Sequence, residues 1–209
     1  MRSIAGLALA AVLAAPVTVR AGDDTPAPRA AAVPQYDGKT AAEWISQLAS
    51  ADVKDRQKAA YALFQLGPDT ATAVPLARAL RDADDYVRAT ASKALRKLAP
   101  EALRSAAPDL GAALGDDRPS VARDAASAFW RMGSLPPEAI PALMKALASS
   151  DAVVRENAAA SLGNAGSPAK PAIEALTKAL IDDVDGVRSA AARSIAQQRS
   201  RMRTPSPDR

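Results

Sequence analysis

Residues 151–166 read DAVVRENAAASLGNAG, and the chain contains five related copies of this stretch. The copies align on the residue before a recurrent arginine, which alanine replaces in the third copy. They lie 32, 34, 33 and 33 residues apart, at Asp55, Val87, Val121, Val154 and Val187. A fixed period of this length indicates a solenoid, in which each unit buries its apolar face only by stacking on its neighbours.

Each copy predicts an amphipathic helix. Counted from the aligned residue, positions 0, 4, 8 and 11 share one helical stripe. Position 4 is always alanine, which indicates neighbouring helices only about 8–10 Å apart. At position 11 the last copy carries Gln198, as expected of a terminal unit whose outer face meets water. Position 4 holds Ala59, Ala91, Ala125, Ala158 and Ala191, and position 8 holds Leu63, Leu95, Phe129, Leu162 and Ile195.

Another helix is predicted ahead of each copy. Each unit therefore consists of this first helix and of a second helix, which is the copy itself. A capping box of Thr40 and Glu43 starts the earliest one at Ala41. The later ones cover residues 74–80, 107–114, 140–147 and 173–180, and we expect their prolines in the first turn, where the missing amide costs no hydrogen bond. Oxygen-bearing side chains then mark the turns, and the predicted N-caps of the following helices are Asp52, Asp84 and Asp151.

The pattern Asp-x-x-Val-Arg-x-x-Ala-x-x-x-Leu, at residues 84–95 and 151–162, resembles the HEAT repeats of the phycobilin-lyase type. The resemblance covers residues 40–198 and implies an all-α, right-handed α-solenoid of about five helical pairs. It also implies that the first helices line a convex face and the second helices a concave face. The same scaffold serves many unrelated tasks, so the resemblance points to the fold more than to the function.

The resemblance further implies a ladder of acidic and arginine side chains between units. In the third unit Ala122 stands where the others have arginine, so either the ladder has a gap there or Arg123 reaches round to fill it. A phosphate-binding column of arginines is the alternative, but partly buried arginine is usually paired. The implied ladder consists of Arg56, Asp82, Arg88, Asp116, Arg155, Asp182 and Arg188.

Residues 1–21 predict a cleavable signal peptide, with Arg2 ahead of an apolar run and small residues before a cleavage site after Ala21. An uncleaved anchor is the alternative, but the run is shorter than the roughly 20 apolar residues that span a membrane. We therefore expect an exported protein, periplasmic or extracellular, with no stable membrane anchor after cleavage.

Two further segments fall outside the repeats. Residues 22–39 are expected to form a linker that is extended from Gly22 to about Gln35, where it holds three prolines, and residues 36–39 have the composition of a turn. Residues 199–209 are basic and predicted to be a disordered tail, with an anchor to an anionic surface as the alternative.

Composition excludes most enzyme classes. The chain has no cysteine and no histidine, so thiolate nucleophiles, Ser-His triads and the usual zinc or haem sites are impossible. No metal site and no cofactor are expected. Adjacent acids such as Asp116 and Asp117 are better read as helix caps than as an acid–base pair.

The basic character of the chain belongs to its ends. Residues 22–198 hold 21 basic and 22 acidic residues, a net charge of −1. A nucleic-acid-binding body would be basic, so no nucleic-acid partner is expected.

Positions 2, 6 and 9 of the second helices lie opposite the buried stripe. They bring aromatic residues together with basic ones, which is typical of a binding patch. The alternatives are that the linker folds over Tyr61 and Phe64, or that Trp130 covers a helix end. In the fourth unit the same three positions hold Glu156, Ala160 and Gly163, which offer little side-chain surface for binding. Recognition is therefore expected in the first three units. The candidate residues are Tyr61, Phe64, Lys93, Arg96, Arg123 and Trp130.

The sequence therefore predicts a monomeric, non-catalytic scaffold that binds a segment of a partner protein on the concave face. The partner's identity does not follow from these residues. The alternative is an accessory subunit or lyase-like enzyme that handles a small ligand in the groove.

Overall fold

The computed structural model describes residues 33–165 and 170–203. Within these ranges the helices form five pairs, as the spacing predicts. The first helices are α1 (Ala41–Gln47), α3 (Thr70–Ala79), α6 (Ala107–Leu114), α8 (Ile140–Ala146) and α10 (Lys170–Ala179); the second helices are α2 (Val53–Leu66), α4 (Asp85–Leu95), α7 (Pro119–Met132), α9 (Ala152–Gly163) and α11 (Asp185–Arg203). A short helix α5 (Pro100–Leu103) and the 3₁₀ turns Arg104–Ala106 and Pro137–Ala139 precede α6 and α8.

The pairs stack as an α-solenoid, with each second helix against the next second helix and each first helix against the next first helix. The predicted stripe forms the core: all five position-4 alanines are fully buried, and no position-8 side chain is more than 7% exposed. Alanine at position 4 lets neighbouring helices approach closely.

The helix starts follow the predicted caps. Thr40 and Glu43 form the capping box of α1, and the carboxylates of Asp52, Asp84 and Asp151 accept amide hydrogen bonds at the starts of α2, α4 and α9. Pro75 departs from the expectation because it lies inside α3 rather than in its first turn. Asp69 and Thr72 form a capping box that starts α3 earlier.

Residues 35–40 form a β-hairpin whose turn lies at the expected residues 36–39, so the end of the predicted linker is folded. Strand β1 (Gln35–Tyr36) pairs antiparallel with β2 (Lys39–Thr40). Asp37 and Gly38 have positive φ angles of 49° and 72°, the combination that a tight hairpin turn needs. The buried Trp44 donates from Nε1 to the main-chain oxygen of Tyr36 at 3.0 Å, which ties the hairpin to α1.

The last helix also differs from the prediction, because α11 continues to Arg203 instead of ending before the predicted tail at residue 199. Gln198 is fully buried and does not face water. Its Nε2 donates to the main-chain oxygen of Leu162 at 2.8 Å, and Arg201 donates to those of Gly163 and Ala165 at 3.0 and 2.6 Å. The carbonyls at the end of α9 need donors, and α11 supplies them.

Gly163 is buried where α9 meets α11 and is not the free surface position that the helical face predicted. A Cβ at Gly163 would lie 2.6 Å from Oγ of Ser194 and 3.0 Å from its Cβ. Oγ of Ser194 donates to the main-chain oxygen of Ala159 at 2.8 Å, so the serine is held in place. Glycine is therefore required by close packing.

No helix within the described ranges has both the length and the apolar character to cross a membrane. The predicted signal peptide, the linker up to residue 32 and the tail from residue 204 lie outside the described residues. Export therefore stays a prediction.

Gly163→Ala is expected to lower the melting temperature. Overpacking costs about 1–3 kcal/mol, which exceeds the gain of up to about 1 kcal/mol in helix propensity. Adding Ser194→Ala should recover part of the loss in a thermal melt. Gly115→Ala is the control, because its Cβ would lie 3.7 Å from the nearest atom. A melting temperature for Gly163→Ala at or above that of the wild type would contradict the packing argument.

Candidate functional site

Two arginines of the implied ladder pair with the turn of the following unit. Nε of Arg56 lies 2.8 Å from Oδ2 of Asp82, and Nε of Arg155 lies 2.8 Å from Oδ2 of Asp182. The second carboxylate oxygen accepts from Nη2 in each pair, at 3.1 and 2.9 Å. Both pairs are thus bidentate and mostly buried, the strong form of this interaction.

Each ladder arginine also holds the turn of its own unit. Nη1 donates to main-chain oxygens six and five residues earlier: Ser50 and Ala51 for Arg56, Asp82 and Ala83 for Arg88, and Ser149 and Ser150 for Arg155. Arg188 likewise donates to the oxygen of Asp182. Arg88 and Arg188 form their ion pairs with Asp85 and Asp185 in their own helices, rather than with the next turn.

In the third unit alanine replaces the ladder arginine, and two nearby arginines make different contacts. Arg118 pairs with Asp116 and donates to the main-chain oxygens of Asp82 and Arg81, so it reaches back to the second unit. Arg123 reaches forward to Oδ2 of Asp151 at 2.6 Å. Neither side chain enters the turn of its own unit in the way that Arg56 does.

These contacts favour the charged form of the turn carboxylates. Arg118 donates to Asp116 and Arg155 donates to Asp182, and both contacts hold the carboxyl pKa well below its ordinary value. The amide of Val87 and the side chain of Gln57 lower the pKa of Asp84. Carboxylates bound in this way act as anchors for turns and caps and are poorly suited to proton transfer.

The candidate aromatic residues have different surroundings. Trp130 is 54% exposed and Tyr61 is 38% exposed. The Tyr36 ring meets the Tyr61 ring edge-on at 6.0 Å between centroids, so the hairpin covers part of Tyr61. Phe64 is half-buried against the core, with Nζ of Lys97 over its ring at 3.6 Å from the centroid. Trp130 is therefore the most accessible of the three.

The candidate basic residues divide into two groups. Lys93 and Arg96 line one cleft of about 290 Å³ between α4 and α7, together with Asp124. Arg123 lies on α7 and is engaged with Asp151. The structure thus brings Lys93 and Arg96 together and commits Arg123 to a contact within the array.

Position 10 of the second helices carries a structural role that the pattern of apolar positions did not show. Nζ of Lys97 donates to the main-chain oxygen of Phe64 at 3.2 Å. The guanidinium of Arg131 donates to those of Leu95 and Leu98 at 3.1 and 2.9 Å. Both side chains satisfy carbonyls at the end of the preceding second helix. A basic residue ten positions after Val87 and Val121 was the available signal.

Within residues 33–165 and 170–203, no group of three or more acidic residues is placed to hold a metal ion. The candidate site therefore consists of an exposed indole, a partly covered phenol and a cleft lined by Lys93, Arg96 and Arg88 together with Asp85 and Asp124. This arrangement suits the docking of another chain.

The HEAT repeats family matches residues 41–130 and again residues 107–196. The two matches together span more than half of the chain and coincide with the five helical pairs. Among curated proteins none matches the chain.

Solved structures of similar architecture include designed and natural solenoids. An engineered protein is 26% identical, with a TM-score of 0.58 over 78% of this chain and 81% of its own. A designed armadillo repeat protein in complex with the peptide (KR)4 is 19% identical, with a TM-score of 0.55 over 74% and 80%. The complex of CpcE and CpcF of phycocyanin lyase from Nostoc sp. PCC7120 is 25% identical, with a TM-score of 0.54 over 83% and 71%.

Asp182→Asn should lower the melting temperature at pH 7, and the difference from the wild type should shrink in acid. The folded-state pKa of Asp182 is lowered, so its contribution is complete above the unfolded-state pKa of about 3.9 and is lost as the pH falls below it. A hydrogen bond to a charged group contributes about 1.5–3 kcal/mol.

The matched control for Asp182→Asn is Asp183→Asn. Asp183 binds the same guanidinium at 2.6 Å but is 84% exposed, against 11% for Asp182. Exposed ion pairs contribute at most about 1 kcal/mol, so this variant should lose less. Thermal melts between pH 7 and pH 2.5 measure both. A difference for Asp182→Asn that stays constant down to pH 2.5 would exclude the ionic contribution.

Proposed function

Because this chain belongs to the HEAT repeats family, we propose that it is a non-catalytic scaffold that docks a segment of a partner protein on the face of its second helices. The repeat solenoid is compatible with such a role. The residues that we propose for this role are Trp130 and Tyr61 as apolar contacts and Lys93 and Arg96 as basic contacts.

The observation that carries this proposal is the exposure of Trp130. The indole is 54% exposed in a described region whose other tryptophan, Trp44, is 3% exposed. Tryptophan is enriched among residues that dominate binding energy, because it buries a large apolar area on contact. Since Trp130 is not needed to fill the core, docking is the role that its exposure supports.

The cleft between α4 and α7 supports a polar component in the partner. Lys93 and Arg96 are both exposed there, and Nη2 of Arg96 makes a 3.3 Å hydrogen bond with Oγ of Ser92. Asp124 lines the same cleft. A segment that carries an apolar residue for Trp130 and an acidic residue for Lys93 and Arg96 fits this surface.

Two comparisons support a protein partner. A designed armadillo repeat protein of similar fold holds a peptide, and the similar phycocyanin lyase proteins form a complex with each other. The described turn carboxylates Asp116, Asp151 and Asp182 are engaged by arginines, which leaves them poorly suited to acid–base roles.

We also propose that the protein works outside the cytoplasm. The support is the basic and apolar pattern of residues 1–21 and the small residues Val19 and Ala21, which precede the expected cleavage site after Ala21. The proposal concerns the place of action and does not affect the docking surface.

Export predicts a mature protein that begins at Gly22. The full chain, expressed in a Gram-negative host, should be recovered from the periplasmic fraction with that N-terminus by mass spectrometry. Leu9→Arg, which interrupts the apolar run, should leave the full-length chain in the cytoplasm. Recovery of unprocessed wild type from the cytoplasm would refute export.

Docking is tested with peptides selected from a random library against the wild-type protein. Trp130→Ala should weaken the binding of a selected peptide by at least about tenfold, as expected of a hot-spot residue. Lys93→Glu should weaken the binding of peptides that carry acidic residues and should leave the binding of neutral peptides unchanged.

The matched control is Tyr86→Ala, because Tyr86 is also an exposed aromatic residue, at 48%, but lies in the first turn of α4. The affinity of Tyr86→Ala for the selected peptide, measured by isothermal titration calorimetry, should equal that of the wild type. If Trp130→Ala binds as tightly as Tyr86→Ala, the proposed docking face is wrong.

A further inference from the structure

A cleft of about 640 Å³ opens between the third and fourth units, at the edge formed by the turns before the second helices. Asp116 and Asp117 line one side with Ala122, and Ser149 and Asp151 line the other. Ala122 stands at the ladder position, where the other four units carry arginine. These five residues define the ladder gap.

The other units show what this position holds. In the first, second and fourth units, Nη1 of the ladder arginine donates to the main-chain oxygens six and five residues before it, at 2.7–3.3 Å. Counted back from Ala122, the equivalent acceptors are the main-chain oxygens of Asp116 and Asp117. Among the described residues none donates to either oxygen. The ladder gap thus has the acceptors of a ladder site without the donor.

The charges around the ladder gap favour a cation. Asp116 and Asp151 are held by Arg118 and Arg123, while the exposed Asp117 forms no salt bridge with any described residue. Among the described residues that line the cleft, Lys145 is the one basic residue, and it is exposed. The carboxylate of Asp117 therefore supplements the two main-chain acceptors.

We propose that the ladder gap binds the guanidinium group of an arginine side chain from a partner protein, which completes the ladder in trans. A guanidinium is planar and carries several donors in a fixed fork, so it can bond two carbonyl oxygens and a carboxylate together, whereas an ammonium is a point charge. The ladder gap lies at the turn edge and contains none of the residues of the proposed docking face. The proposal for each site can therefore be tested independently of the other.

The probes are N-acetyl-argininamide and N-acetyl-lysinamide, which carry equal charge and no free amino group. They are titrated into the ¹⁵N-labelled full chain at constant ionic strength, with amide chemical shifts as the readout. The arginine probe should give saturable shifts centred on residues 115–122 and 149–151. The lysine probe should bind at least about fivefold more weakly, because it lacks the fork.

Ala122→Arg should remove these shifts, because the chain then fills the ladder gap with its own guanidinium. Ala192→Arg adds the same charge at an exposed position of α11 and should leave them unchanged. Asp117→Lys changes the site without altering a buried residue, and it should weaken the binding of the arginine probe.

Trp130→Ala should leave the arginine shifts intact, so failure of the docking face is distinguishable from failure at the ladder gap. A linear response spread over all exposed acidic residues, equal shifts with both probes, or full shifts in Ala122→Arg or Asp117→Lys would overturn the proposal. The same titration is repeated with a neutral peptide and with a variant of that peptide that contains one arginine. Only the arginine-containing peptide should shift the amide signals of residues 115–122.

Discussion

The whole array depends on the close packing of neighbouring helices. No helical pair has a core of its own, so each pair is stable only when its apolar stripe is covered by the next pair. Ala59, Ala91, Ala125, Ala158 and Ala191 are fully buried in this stacked core. The contact between α9 and α11 excludes even a methyl group, and Gly163 stands there because of it. Any side chain that widens one contact disturbs the pairs on both sides.

Close stacking leaves the main-chain oxygens of turns and helix ends in need of donors, and long polar side chains supply them. Arg56, Arg88 and Arg155 bond the turns. Arg131 and Gln198 bond the ends of the preceding second helices. Most regularly placed polar residues of this chain are therefore structural, which narrows the search for function to the side chains that the array does not use.

What remains is an exposed indole at Trp130, the basic cleft at Lys93 and Arg96, and the ladder gap at Ala122. The docking face and the ladder gap use different physical devices. The docking face offers exposed aromatic area and a separate cleft with basic side chains, whereas the ladder gap offers fixed main-chain acceptors without the donor that the other units supply. A departure from a repeat is informative because its neighbours show which group the position would otherwise hold.

The sequence alone determined the architecture, because a period near 33 residues with alanine and bulky apolar positions in register admits few arrangements other than stacked helical pairs. It also identified the cap residues, which depend on local geometry repeated in each unit. The resemblance to HEAT repeats placed Arg56, Asp82, Arg155 and Asp182 in the ladder, and the structure decided which arginine pairs with which acid. Only the tertiary structure decided which side chains are free. Phe64 and Gly163 lie at positions that a single helix would expose, and Gln198 lies on the stripe of the terminal unit, which is expected to face water, yet each is partly or fully covered by another element. The missing arginine at Ala122 is visible in the sequence, but the cleft beside it is not, because two turns about one repeat apart in sequence form that cleft and they are adjacent only when the units stack.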